Sequence, residues 1–266
     1  MMSSIQIIKD NDTSIKVFSC GKGQAVLFLH GGYSGSEIWE EALDRISEQY
    51  MTLRYDQRGY GQSEPAVKPF SHAETLKAVL DGLELKRVHL IGSSFGGAVA
   101  IDFSLQYPEY VDRLVLVGPS VNGMNIPFRM KLEGILDYMR VRRSGMDKAV
   151  EKLLRKKFWR YLIPQTETRR QRFRELYLGN ESFYTGNPSL QKPLEPNAVM
   201  RLKEIDNKTL VIEPERDHVF NRKACRVVHE NIPNAKKIVM SGCGHYPHLE
   251  QPEVFSKIVL EFLNQS

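Results

Sequence analysis

Gly92-Ser93-Ser94-Phe95-Gly96 constrains this chain more than any other stretch. It lies between Arg87-Val88-His89-Leu90, which reads as a strand, and a run from Ala98 to Tyr107, which reads as a helix. A G-x-S-x-G sequence at a strand-to-helix turn is a nucleophile elbow, which holds its serine at a sharp, strained bend with the hydroxyl clear of the sheet. The frame selects Ser94, because Gly92 and Gly96 flank it where any Cβ would collide across the turn. A frame centred on Ser93 needs a glycine at position 91, which is Ile91.

The rest of the chain reads as a scaffold for that turn. Ile5 to Ile8 and Ser14 to Phe18, with Asp10-Asn11-Asp12 between them, read as a hairpin. Ala25 to Leu29 is a continuous apolar run, the mark of a strand buried on both faces, and it ends in His30-Gly31-Gly32-Tyr33. A helix over Ser36 to Glu48 follows. A strand over Met51 to Tyr55 then closes on Asp56-Gln57-Arg58-Gly59-Tyr60-Gly61-Gln62-Ser63. Ser71 and Glu74 have capping-box spacing and start a helix running to about Leu83. After the elbow comes the strand Arg113 to Gly118. Later come a strand at Thr209 to Glu213, a helix from Arg222 to Glu230, a strand at Lys237 to Met240 and a helix from Pro252 to Leu263. Strands alternating with helices predict an α/β fold, a mostly parallel sheet with helices on both faces. Between Pro119 and Glu204 no buried-strand run occurs, which predicts an all-helical insertion set over the end of the sheet where ligands bind. The expected domains are a core of residues 1–118 and 205–266 and a helical cap of residues 119–204.

Composition excludes several classes. No apolar run approaches the roughly 20 residues of a membrane span, and the N-terminal residues lack a basic-then-apolar signal pattern. Cys20, Cys225 and Cys243 are too few and too scattered for a disulfide framework. Together these predict a cytoplasmic protein. The net charge of +5 is uneven: 16 Lys and Arg face 7 Asp and Glu between Phe128 and Lys192, while the rest of the chain is acidic. No nucleic-acid-binding motif accompanies the basic segment, which reads as solvated helix faces rather than a nucleic-acid site.

A serine hydroxyl becomes a nucleophile when a base takes its proton and a third group orients that base. Among the seven histidines, His245 lies in a glycine-rich turn just past the last strand, at the same end of the sheet as Ser94. His218 and His248 compete with it. His89, His229 and His72 sit within predicted elements and read as structural or solvated, and His30 as a brace for its own loop. The acid is expected after a strand between Ser94 and His245. Asp217 fits that place, and spacing alone does not exclude Glu213 or Glu215. Cys243, His245 and His248 lack the second ligand pair of a zinc site, so neither metal nor cofactor is expected.

On four motifs, His30-Gly31-Gly32, Asp56-x-Arg58-Gly59-x-Gly61-x-Ser63, Gly92-x-Ser94-x-Gly96, and Gly244-His245 with His248-Leu249-Glu250-Gln251-Pro252, the chain resembles the α/β-hydrolase superfamily. The resemblance implies eight strands with the second antiparallel, a cap after the sixth, and a catalytic triad of Ser94, Asp217 and His245. It also implies an oxyanion hole of the Gly32 and Phe95 backbone N–H groups and a structural role for Asp56 to Ser63. Two departures stand out. Glu213-Pro214-Glu215 replaces the glycine that relatives tend to carry after this strand. Tyr33 stands where proline iminopeptidases have proline, which argues against an aminopeptidase. The expected activity is cofactor-independent hydrolysis of a small-molecule carboxylic ester, lactone or thioester. The alternatives are carbon–carbon bond hydrolysis or enol-lactone opening, with a cap arginine (Arg140, Arg142, Arg143, Arg155 or Arg160) meeting a substrate carboxylate, and a small-molecule receptor on the same scaffold. Periodicity does not divide Phe128, Met130, Tyr138, Phe158, Trp159, Tyr161, Phe183 and Tyr184 between pocket lining and core, and oligomeric state is not legible.

Overall fold

The computed structural model describes residues 4–10 and 13–265. The turn read at Asn11 and Asp12 and the first three residues lie outside them. In chain order the strands are β1 (Ser4–Asp10), β2 (Thr13–Cys20), β3 (Ala25–Leu29), β4 (Met51–Tyr55), β5 (Val88–Ser93), β6 (Val111–Val117), β7 (Lys208–Pro214) and β8 (Ala235–Met240). The helices are α1 (Glu40–Ile46), α2 (His72–Gly82), α3 (Phe95–Gln106), α4 (Phe128–Ser144), α5 (Met146–Arg155), α6 (Glu167–Leu178), α7 (Glu181–Thr185), α8 (Val219–Asn231), α9 (Pro247–Glu250) and α10 (Pro252–Leu263). The eight strands form one sheet in the order β1-β2-β4-β3-β5-β6-β7-β8. β2 is antiparallel to both its neighbours, and β3 to β8 run parallel.

Alternation along the central strands builds two apolar layers. Val26, Phe28, Ile91, Val115 and Ile212 face one side, with Trp39, Phe255 and Val259 against them. Leu27, Leu29, Leu90, Leu116 and Val211 face the other, covered by Leu76 and Val79 of α2, Ile101 and Phe103 of α3 and Val228 of α8. Each such fully buried side chain contributes about 1.5–3 kcal/mol, so the parallel strands' register is strongly held. β1 and β8 are the two edges of the sheet, and on β1 Ile5 and Ile7 are turned outward.

Between β6 and β7 the chain is helical, from α4 to α7 with short turns, as the broken strand rhythm predicts. The insertion shares the first apolar layer through Val150, Leu153, Trp159, Phe173 and Tyr177. Inside it the Asp137 carboxylate accepts from the hydroxyls of Tyr177 and Tyr184, each at 2.9 Å. Among the described residues no helix is long and apolar enough to cross a membrane.

The Ser71 hydroxyl caps α2 by accepting from Glu74 N–H, as the capping box predicts. Two helices begin three residues earlier than their sequences suggest. α3 starts at Phe95 rather than Ala98 and α8 at Val219 rather than Arg222. For α3 the reason is packing: Gly96 and Gly97 are poor helix formers, but tertiary contact overrides propensity there.

Candidate active site

Because β3, β5, β7 and β8 run parallel, their C-terminal ends open on one edge of the sheet. The loops that follow carry Gly32, Ser94, Asp217 and His245 respectively. Ser94 has φ 51° and ψ −115°, a conformation that L-residues avoid. The surrounding bonds hold it there: its N–H donates to the Val117 carbonyl at 3.0 Å, and its own carbonyl accepts from Gly97 and Ser120, each at 2.9 Å. The flanking glycines are demanded by close approach. A Cβ on Gly96 would stand 2.2 Å from the Leu29 carbonyl oxygen, and one on Gly92 2.4 Å from that of Gly96. Both obstacles are backbone atoms in the middle of the fold. Gly96→Ala is therefore expected to lose at least about 3 kcal/mol of stability or not to fold. A urea midpoint unchanged from that of the parent protein would refute this reading of the elbow.

The three acids left open after β7 are separated by their partners. Glu213 is paired with Arg222 at 3.0 Å and Lys237 at 2.8 Å. Burial pushes its carboxyl up, but the two cations together hold it below the usual value. Glu215 accepts from the Gly242 N–H at 2.8 Å. Asp217 Oδ2 lies 2.7 Å from His245 Nδ1. A carboxylate only accepts, so that contact places the ring proton on Nδ1 and leaves Nε2 as the basic nitrogen. The other oxygen of Asp217 accepts from the backbone N–H of His218 at 2.6 Å and from Asn221 Nδ2 at 2.8 Å, which fixes the carboxylate plane. The path of the 213–217 loop is set by Glu215 N–H donating to the Met240 carbonyl and Arg216 N–H to that of Cys243.

The competing histidines go elsewhere. His218 Nδ1 accepts from the Phe220 N–H and caps α8. His248 is fully buried, its ring stacked on Trp39 with centroids 4.0 Å apart, and among the described residues neither of its nitrogens has a hydrogen-bond partner. His30 braces its loop as expected: Nε2 accepts from Gln57 N–H at 2.9 Å, and Gln57 Nε2 donates back to the His30 carbonyl at 2.7 Å. Asp56 accepts from the N–H groups of Ser36 and Gln62, so the 56–63 loop is a structural clamp. Cys243 donates to the Met240 carbonyl, and burial pushes its thiol up to about 12, which leaves it unreactive.

A cavity of about 200 Å³ holds Ser94 and His245 in its wall together with Gly32, Phe95 and Asn221. Phe95 opens α3, where the first amide N–H groups have no acceptor within the helix. Two features of this cavity escape the sequence reading. The Tyr246 hydroxyl donates to the Gly32 carbonyl at 2.6 Å, pinning the loop after β3. The Tyr161 carbonyl in the insertion accepts from the His245 N–H at 2.7 Å, so the insertion positions the histidine loop directly. Asn221 was findable, since it lies one helical turn beyond Asp217, but Tyr246 and Tyr161 carry no such signal. Tyr33 has φ 62°, a value closed to proline, whose ring holds φ near −65°.

The apolar wall comes from Met130, Trp159, Leu162, Ile126, Val121 and Phe220. Of the aromatic and methionine residues left undivided by periodicity, Met130, Trp159 and Tyr161 line it. Tyr184 is buried in the insertion, Phe183 stacks on Tyr60, and Phe128 is exposed. Among the described residues no Lys, Arg, Asp or Glu lines the cavity. The five candidate arginines of the insertion are thus not in its wall: Arg140 pairs with Asp137, and Arg142 donates to the Tyr138 hydroxyl.

An eight-stranded sheet with a strained serine elbow after its fifth strand is the arrangement of an α/β hydrolase. The family model for the alpha/beta hydrolase fold matches residues 24–252. The chain belongs to that family. Among curated relatives it is 28% identical to a 2-hydroxy-6-oxononadienedioate/2-hydroxy-6-oxononatrienedioate hydrolase of Comamonas testosteroni, over 94% of this chain and 91% of the relative. Among solved structures it resembles an esterase from Exiguobacterium antarcticum at 25% identity and a TM-score of 0.80, covering 97% of this chain and 99% of that one. It also resembles the enol-lactonase from Burkholderia xenovorans LB400 at 18% identity and a TM-score of 0.81, covering 98% and 100%.

Proposed function

We propose that this protein is a serine hydrolase acting on an uncharged carboxylic ester, lactone or thioester, with residues 119–204 as a cap over its site. The observation that carries the proposal is a single cavity with Ser94 and His245 in an otherwise uncharged wall, and Asp217 bonded to the far nitrogen of that histidine. Ser94 Oγ attacks the acyl carbonyl while His245 Nε2 takes its proton. The negative charge that develops on the carbonyl oxygen is received by the N–H groups of Gly32 and Phe95, each worth about 3–4 kcal/mol in rate. Asp217 holds the tautomer and stabilises the imidazolium. The proton then passes to the leaving group, and water repeats the cycle on the acyl-enzyme.

The sequence relatives favour a second reading, carbon–carbon bond hydrolysis, since the names they carry are those of dienoate and dienedioate hydrolases. Such substrates bring carboxylates, and a carboxylate taken into this cavity without a basic partner costs several kcal/mol. A neutral p-nitrophenyl ester is therefore expected to show kcat/KM about 100-fold above an ester of the same length ending in a carboxylate. The opposite preference would transfer the assignment to the second reading. A receptor function would show instead as ligand-dependent thermal stabilisation with no product formed.

A further inference from the structure

The basic segment noted in the sequence has a structural counterpart that the chemistry at Ser94 does not use. Along α4, Phe128, Leu132, Ile135, Leu136 and Met139 recur every three or four residues, so they lie on one face of the helix. That face is turned to solvent: Phe128 is 80% exposed, Ile135 56% and Met139 59%. The two acidic residues of α4, Glu133 and Asp137, point the other way and are buried, Glu133 bonded to Lys156 and Asp137 to two tyrosines. Every exposed charge on the helix is consequently basic: Arg129, Lys131, Arg142 and Arg143. At 100° per residue, Lys131 and Arg142 flank one side of the apolar stripe, Arg129 the other, and Arg143 sits near its end. None of the four is paired with a carboxylate among the described residues.

We propose that this face of α4 seats the protein on an anionic lipid surface. An apolar stripe edged with cations is what an interfacial helix presents, with the stripe entering the headgroup boundary and the cations meeting lipid phosphates and carboxylates. A second copy of the chain docked face to face would instead bring four cations against four. The cavity lies just behind this face: Ile126, itself 44% exposed just before α4, and Met130 on its first turn belong to the cavity wall. Docking therefore brings the Ser94 cavity close to the lipid boundary, though the docking itself does not depend on the reaction assigned to Ser94.

The test is flotation of the full chain with phosphatidylcholine vesicles, with and without phosphatidylserine. Binding is expected to be at least about 30-fold tighter with phosphatidylserine, since each cation near such a surface contributes about 5-fold, and to fall to the neutral level in about 0.5 M salt. Ile135→Asp/Met139→Asp, at exposed positions, is expected to weaken it at least about 10-fold, and Lys131→Glu/Arg143→Glu to do the same through charge alone. Ser94→Ala is expected to float like the parent protein. Equal flotation with both vesicle types would overturn the proposal, as would anionic-vesicle binding untouched by both double variants. So would absent flotation together with a dimer in sedimentation velocity that Ile135→Asp/Met139→Asp dissociates.

Discussion

Replacing Ser94 with alanine is expected to lower kcat on a neutral p-nitrophenyl ester by about 10⁴-fold or more, while leaving the thermal melt near that of the parent protein. The size follows from the division of labour: without the hydroxyl there is no acyl-enzyme, and only binding and the oxyanion donors are left to act. Alanine at position 94 keeps the backbone bonds to Val117, Gly97 and Ser120 that define the bend, since none uses the side chain. His245→Ala should cost about as much as Ser94→Ala, and the double variant no more than either, because the two act in one step. Ser94→Ala activity within about 10-fold of the parent would remove the nucleophile from the proposal.

Acid is the second large lever, and it acts on stability. His30, His72, His89 and His248 are all buried, and for each the dominant effect is desolvation, which disfavours the charged ring. His72 is lowered to about 3 and His89 to about 4, and His248 lies well below its usual value. His89 Nδ1 stands 3.3 Å from an Asp112 oxygen, but without hydrogen-bond geometry, and the attraction does not offset burial. A histidine whose folded value lies below its unfolded one contributes stability that is complete above about pH 6.5. That contribution is lost as the pH falls through 6.5 toward the folded value, because the unfolded chain then binds the extra proton.

Between pH 7 and 5 each strongly lowered histidine removes about 2 kcal/mol. Buried carboxyls act in the opposite sense. Asp102 is pushed up to about 6 by burial, and Asp137 and Glu250 are also raised by it, so the folded state takes up protons of its own there. The expected net loss is about 4–5 kcal/mol, a large part of the stability of an ordinary domain. Urea unfolding at pH 7 and pH 5 measures it directly. His248→Leu removes a ring with two unpartnered nitrogens, and should flatten the dependence by about 1.4 kcal/mol per pH unit below 6.5. An identical slope in that variant would contradict a neutral His248 in the fold.

The elbow was legible because part of its constraint is local. A Cβ on Gly92 would meet the Gly96 carbonyl four residues on, a collision that can be read from spacing, whereas the one at Gly96 is with the Leu29 carbonyl of β3. The strands were legible for a similar reason, since a run such as Ala25 to Leu29 has no solvated face in any arrangement. The early starts of α3 and α8 were hidden, because glycines and a histidine cap occupy turns where intrinsic propensity points the other way.

From its sequence alone this chain determined an α/β sheet, a serine at its sharpest turn, and a helical segment between two of its strands. Those features rest on periodicity and sterics acting over a few residues. Only the tertiary structure shows Asp217, and not Glu213 or Glu215, in contact with His245 Nδ1, His248 stacked on Trp39 instead, and the insertion's arginines outside the cavity wall. Each of those choices depends on which partner a side chain meets across the sheet order β3-β5-β6-β7-β8, and chain neighbours carry no information about that distance.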